Sequence, residues 1–132
     1  MSEKEGVSKE QIVVEVKSKE KLQDKFMVLL SQGEVHAARN IIKEAKENDI
    51  ELDVSTDEYK NAAQKAVEDS LRKGHVRHAL RLINFTSDNK ISVDLSTSEI
   101  AQSLSEGFEV CGPQKKEKIL EFAKQNKINI ET

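Results

Sequence analysis

Gly33-Glu-Val-His-Ala-Ala-Arg-Asn-Ile-Ile-Lys-Glu-Ala-Lys-Glu-Asn-Asp-Ile-Glu-Leu-Asp-Val-Ser-Thr56 lies without a gap over the segment Gly74 to Thr97. Gly33/Gly74, Val35/Val76, Ala38/Ala79, Ile42/Ile83, Asn48/Asn89, Ile50/Ile91, Asp53/Asp94, Ser55/Ser96 and Thr56/Thr97 are identical, nine of the 24 positions. Ile41/Leu82, Leu52/Val93 and Val54/Leu95 exchange one aliphatic side chain for another. Self-similarity at a fixed spacing, here 41 residues, is the signature of a stacked-repeat architecture. A third copy follows at 37 residues if Cys111 takes the glycine position, which brings Ile119, Leu120, Ile128, Ile130 and Glu131 into register.

Working outward, the same frame aligns the helix before each turn. Leu22-Phe26-Leu30, Ala63-Val67-Leu71 and Ile100-Leu104-Phe108 each recur every four residues, one stripe of an amphipathic helix. Each unit therefore reads as helix A, a glycine turn, helix B and a short connector. Gly33 and Gly74 stand where a left-handed residue ends helix A. Ser55 with Glu58, and Ser96 with Glu99, have capping-box spacing and are expected to start the next helix A. The connector, I-x-[L/V]-D-[V/L]-S-T, alternates apolar and polar residues, so one edge should pack on the helices. Ala38 and Ala79 predict a close helix–helix approach.

The expected fold is all-α, an α/α solenoid of about three helix-turn-helix repeats, with units 19–56, 57–97 and 98–132 forming one domain over 19–132. Residues 1–18 are expected to be a flexible tail (1–9) and a first connector, with 10–18 an extended strip or a frayed helix start in which Ile12 to Ser18 follows the connector pattern. The array thus opens and closes on connectors. It would then expose an apolar end face, pair with a copy of itself, or belong to a longer array.

The stretch from turn glycine to connector aspartate resembles the pentatricopeptide repeat, a helical-hairpin family related to tetratricopeptide repeats. Gly33 to Asp53 and Gly74 to Asp94 keep that family's turn-to-aspartate distance, and Ala79-Leu80 reproduces its alanine-leucine pair. The resemblance covers roughly residues 19–131 and implies a stack of helical hairpins. It also implies single-stranded RNA as a partner, read by a polar helix-A residue together with the closing aspartate. Asp53 and Asp94 match the closing position; the helix-A positions hold Gln23, Gln64 and Ala101 where the family usually has Thr, Ser or Asn. Helix A is longer than the family's, and the connector lacks its proline.

Composition narrows the function classes. The chain has 132 residues, 34% of them charged, and a net charge of −3, which gives no overall field for nucleic acid. One cysteine, Cys111, forms no internal disulfide and suits a reducing, cytoplasmic setting. No apolar run approaches the roughly 20 residues of a membrane span, and the start, MSEKEG, lacks the apolar segment of a secretory signal. The strongest local charge lies between Arg72 and Arg81. Arg72, Lys73, His75, Arg77, His78 and Arg81 bear four fixed positive charges, two histidines and no acid, a candidate anion or RNA site. The competing reading has Arg72 and Lys73 offsetting the carbonyl end of helix A and the rest solvated. His75 and His78 could share a metal only with a third ligand, and His36 is the only other histidine; no metal is expected. No nucleophile–base motif is present, so no catalytic residues, enzyme activity or cofactor are expected. The polar face of helix A, with Lys19, Gln23, Lys60, Gln64, Ser98 and Gln102, is the expected partner surface. A protein or peptide is the leading partner and RNA the alternative.

Overall fold

The computed structural model describes residues 9–130, and the described residues fold into six helices with no strand among them. They are α1 (Lys9–Ser31), α2 (Val35–Glu47), α3 (Asp57–Arg72), α4 (Val76–Asp88), α5 (Ser98–Val110) and α6 (Pro113–Gln125). Residues 1–8 of the expected tail and the register position Glu131 lie outside the described residues.

Helix contacts divide the molecule into two layers. α1–α2, α3–α4 and α5–α6 pair as hairpins; α3 lies between α1 and α5, and α4 lies between α2 and α6. The predicted stripes point into the space between the layers, except that Phe108 is only half-buried and Gly107 is the buried residue of that last turn. Leu22, Phe26, Leu30, Ala63, Val67, Leu71, Ile100 and Leu104 are buried from one layer, and Ala38, Ala79, Leu82 and Ile119 from the other. Each fully buried Leu, Ile or Phe contributes on the order of 1.5–3 kcal/mol through removal from water. Phe26 sits between Tyr59, at 5.7 Å between ring centroids, and Phe85, at 6.1 Å, both tilted. That aromatic cluster joins the first hairpin to the second. Between the second and third, Gly107 of α5 lies so close to the end of α3 that an added Cβ would fall 2.0 Å from the Leu71 carbonyl oxygen.

Glycine ends α1 and α3 as the sequence indicates. Gly33 (φ 74°) and Gly74 (φ 79°) are left-handed, and two backbone bonds close each helix: Gly33 N–H to Leu30 and Glu34 N–H to Leu29, then Gly74 N–H to Leu71 and His75 N–H to Ser70. The third turn differs. Cys111 has extended backbone (φ −94°, ψ 164°), and Gly112 with Pro113 starts α6 without a left-handed residue; proline's fixed φ suits the first helical position. α5 has 13 residues against 16 in α3. The shortening of the interval from 41 to 37 thus removes about one helical turn, which leaves the buried stripe on the same face.

Helix B ends by a second device in all three hairpins. Asn48, Asn89 and Asn126 turn their side-chain amides back onto the carbonyls of Glu44, Phe85 and Phe122 at 2.8–2.9 Å. The residues that follow, Asp49, Lys90 and Lys127, are left-handed at φ 55–59°. Ile50, Ile91 and Ile128 then donate to the carbonyls of Ala45, Thr86 and Ala123, each at 2.8 Å, completing a Schellman closure. In the connectors, Leu52, Val54, Val93, Leu95, Ile128 and Ile130 are half-buried, and Glu51, Asp53, Ser92 and Asp94 are exposed.

Residues 9–18 are the opening turns of α1, the helix start rather than the extended strip of the two alternatives. No glycine or proline interrupts Lys9–Ser31, and lengthening an existing helix costs far less than starting one. The caps of α3 and α5 are Thr56 and Thr97 rather than the preceding serines. Thr97 Oγ accepts from Ile100 N–H at 3.2 Å, while Ser55 and Ser96 are bound to aspartate carboxylates.

Candidate functional site

The candidate surfaces divide between the two layers, beginning with the glutamines of helix A. Gln64 Nε2 donates to the Asp94 carbonyl at 2.7 Å, and its Oε1 accepts from the Asp94 amide at 2.8 Å. In the first hairpin Gln23 Nε2 donates to the Asp53 carbonyl at 3.3 Å and to the Tyr59 hydroxyl at 3.2 Å, and that hydroxyl donates to the Gln23 carbonyl. These bonds fix each connector against its own helix A. The aspartate side chains are engaged as well. Asp53 Oδ1 accepts from the Ser55 amide and hydroxyl, and Asp94 Oδ1 from those of Ser96. The serine hydroxyl and then its amide hold each carboxyl below the ordinary aspartate range. The helix-A and closing-aspartate pairs that the resemblance assigns to base reading are thus joined to each other, through the aspartate backbone. At Ala101 no such bond can form.

Of the expected partner residues, Lys19 and Gln23 line a groove of about 670 Å³ between α1 and α3, with Glu20, Asp24, Met27, Glu58 and Tyr59. Lys60 and Gln64 line a second concavity of about 480 Å³ against the second connector, with Asp57 and Asp94 at its rim. Ser98 and Gln102 are exposed on α5. Three carboxylates face one lysine in the first groove, and the layer shares that sign. Over residues 18–31 α1 carries three cations and two acids, α3 carries three and four, and α5 none and three, net −3 with histidine neutral.

The opposite layer is basic. α2 carries three cations and two acids, α4 two and one, and α6 four and two, net +4. The basic 72–81 segment does not act as one patch. Arg72 braces α3 to α5: Nε binds Glu106 Oε2 at 2.7 Å, while the two terminal nitrogens bind Asp69 at 2.9 Å and the Ser103 hydroxyl at 3.2 Å. The bond to Glu106 comes first among the causes that raise its pKa. His78 packs against the Gly33 turn, its Nε2 3.0 Å from where a Cβ on that glycine would stand. His75 is held below its ordinary pKa by partial desolvation, then by Lys115, Lys73 and His78, so its neutral form is favoured. Arg77 and Arg81 remain exposed on the outer face of α4, opposite buried Ala79 and Leu82. Neither has an ion-pair partner within 4 Å among the described residues.

The concavities not anticipated from the sequence include two between successive hairpins. One, about 430 Å³ and mainly apolar, is lined by Ile42, Ala45, Ile50, Leu52 and Val54 below the C-cap of α4. The other, about 180 Å³, lies between α4 and α6 and includes Val76, Arg77, Leu80, Lys118, Glu121 and Phe122. Both depend on contacts between successive hairpins, which the apolar spacing of single helices does not specify. Among the described residues no cluster of three His, Cys, Asp or Glu side chains could hold a metal. No described helix is long and apolar enough to cross a membrane. No family model, curated protein or solved structure matches the chain.

Proposed function

We propose that this chain is a non-catalytic protein-binding module or adaptor, an α/α solenoid of about three helix-turn-helix repeats working in a reducing, cytoplasmic setting. The observation that carries the reading is the α1–α3 groove. Its polar rim is acidic, its floor includes the apolar surfaces of Met27 and buried Tyr59, and its glutamine is bound to Asp53 and Tyr59. A phosphate backbone would meet net repulsion there, whereas a peptide with apolar and basic side chains would find complementary surface. Lys19, Lys60, Ser98 and Gln102 keep their polar groups turned outward; Gln23 and Gln64 act by holding the connectors in place.

The test is selection of peptides from a random displayed library on the purified chain, followed by titration of the winners. Peptides that bind one-to-one and are weakened by Asp24→Lys or Glu58→Lys support the reading. A selection that yields no binder, from a chain that retains single-stranded RNA at physiological salt, refutes it.

Single-stranded RNA binding of pentatricopeptide type is the second reading, supported by the net positive α2–α4–α6 layer. It predicts RNA retention that falls steeply with salt and is lost on charge reversal at Arg77 and Arg81.

A further inference from the structure

We propose that the groove between α4 and α6 docks an acidic peptide segment anchored by one aliphatic side chain. This rests on the module reading above, but it uses the opposite layer and a partner of opposite charge. The floor comes from Val76 and Phe122, which are 6% and 2% exposed. Leu80 stands beside them with 41% of its surface in water, although its neighbours Ala79 and Leu82 are fully buried. A volume of about 180 Å³ suits a single aliphatic side chain.

Charge complementarity sets the chemistry of the remaining residues of the segment. Arg77 and Lys118 flank the floor, and Arg81 follows Arg77 one turn along the same exposed face of α4. None of the three has an ion-pair partner within 4 Å among the described residues. Every other arginine has a partner that accounts for it. Arg72 is bonded to Asp69, Glu106 and Ser103, and Arg39 lies over the Phe85 ring at 5.7 Å. Glu121 is the one carboxylate in the groove, and it accepts from Gln125 at the same rim. Three unpaired cations against one acid, within a layer of net +4, favour a carboxylate-bearing segment.

A floor with no exposed aromatic face distinguishes this surface from a nucleic-acid track. Stacking of unpaired bases needs exposed aromatic faces, yet Phe122 is buried, and the Phe108 ring on the neighbouring helix is capped by Lys116 at 4.8 Å. Leu80 and Glu121 offer a phosphate backbone nothing, whereas an aliphatic side chain flanked by carboxylates satisfies Leu80, Arg77 and Lys118 together.

Fluorescence anisotropy tests this with a labelled peptide of about a dozen glutamates interrupted by one leucine. The comparison probes are the same peptide with serine for leucine, the same with lysine for glutamate, and a uridine dodecamer. The expected result is saturable binding of the glutamate–leucine peptide, weakened at least fivefold by losing its leucine or by Leu80→Ser. Arg77→Glu with Lys118→Glu should weaken it at least tenfold, and so should raising salt until screening is short-ranged. Circular dichroism checks folding, and Arg77→Gln with Lys118→Gln serves if the reversed pair does not fold. The proposal is overturned by no binding of that peptide, by indifference to Leu80→Ser, by equal binding of the lysine peptide, or by tighter binding of the uridine dodecamer. If displayed peptides bind the α1–α3 groove while the glutamate–leucine peptide does not bind, the module stands and this site does not.

Discussion

Gly107→Ala sets local propensity directly against tertiary packing. Within a helix, alanine is favoured over glycine by about 1 kcal/mol, so α5 alone would gain from the change. In the folded chain the new Cβ would stand 2.0 Å from the Leu71 carbonyl oxygen, 3.1 Å from the Gly74 nitrogen and 3.2 Å from the Leu71 carbonyl carbon. Carbon–oxygen contacts settle near 3.3 Å, so α5 must retreat from α3 by more than about 1 Å. The obstacle is backbone, and no side-chain rotamer can yield. Retreat would loosen Leu71 and Leu104, both fully buried, and a gap near 1 Å forfeits up to about half of a dispersion contact. Overpacking costs about 1–3 kcal/mol. Taking the upper end and subtracting the propensity gain leaves a net destabilisation of about 2 kcal/mol, or a fall in Tm of about 8 °C for a chain of this size. Urea and thermal unfolding measure it. Gly112→Ala is the control, because nothing lies within 4 Å of its added Cβ, and it should stay within about 0.5 kcal/mol of wild type. A Gly107→Ala protein as stable as wild type would refute the close-approach argument.

Gln64→Ala removes both bonds to the Asp94 backbone and should cost about 1 kcal/mol, with faster hydrogen exchange at the Asp94 amide; unchanged exchange there would show that the clamp is idle. Lys90→Gly relieves a left-handed non-glycine residue at φ 59° and should raise stability by up to about 1 kcal/mol in urea titration, whereas a loss would mean the strain is negligible. Asp53 and Asp94 have lowered pKa values in the fold. Their stabilising effect is therefore fully present above the unfolded aspartate pKa, about 3.9, and is lost as pH falls through the folded values. Asp53→Asn with Asp94→Asn should flatten the acid limb of a Tm–pH curve, and an unaltered limb would assign that limb to other groups.

Periodicity made the helices legible because each core stripe is local: Leu22-Phe26-Leu30 states its own buried face without reference to any other segment. Gly33 and Gly74 were legible for the same reason, since left-handed backbone favours one residue type. The asparagine closures were half visible. Asn48 and Asn89 matched, and Asn126 follows 37 residues later, but their role needs the backbone to turn toward the isoleucine. What pattern could not supply was competition between partners. Ser96 reads as a helix cap until Asp94 is seen to take its hydroxyl, and Arg72 reads as part of a basic patch until α5 brings Glu106 against it. The α4–α6 groove depends on the distance between hairpins, and no spacing within one helix encodes that.

The Arg72 brace makes the two seams of the molecule respond to different solvents. The seam between the first and second hairpins is a cluster of three aromatic rings, whose cohesion dissolved salt leaves intact. The seam between the second and third adds a half-exposed guanidinium shared by two carboxylates and a hydroxyl, which screening ions weaken. Where the first and third hairpins share no helix contact among the described residues, such a difference biases the order of release. Concentrated sodium chloride is expected to lower the protection of α5 and α6 relative to the rest by no more than the roughly 1 kcal/mol that such exposed pairs contribute, a difference that amide exchange followed helix by helix at low and high salt would reveal.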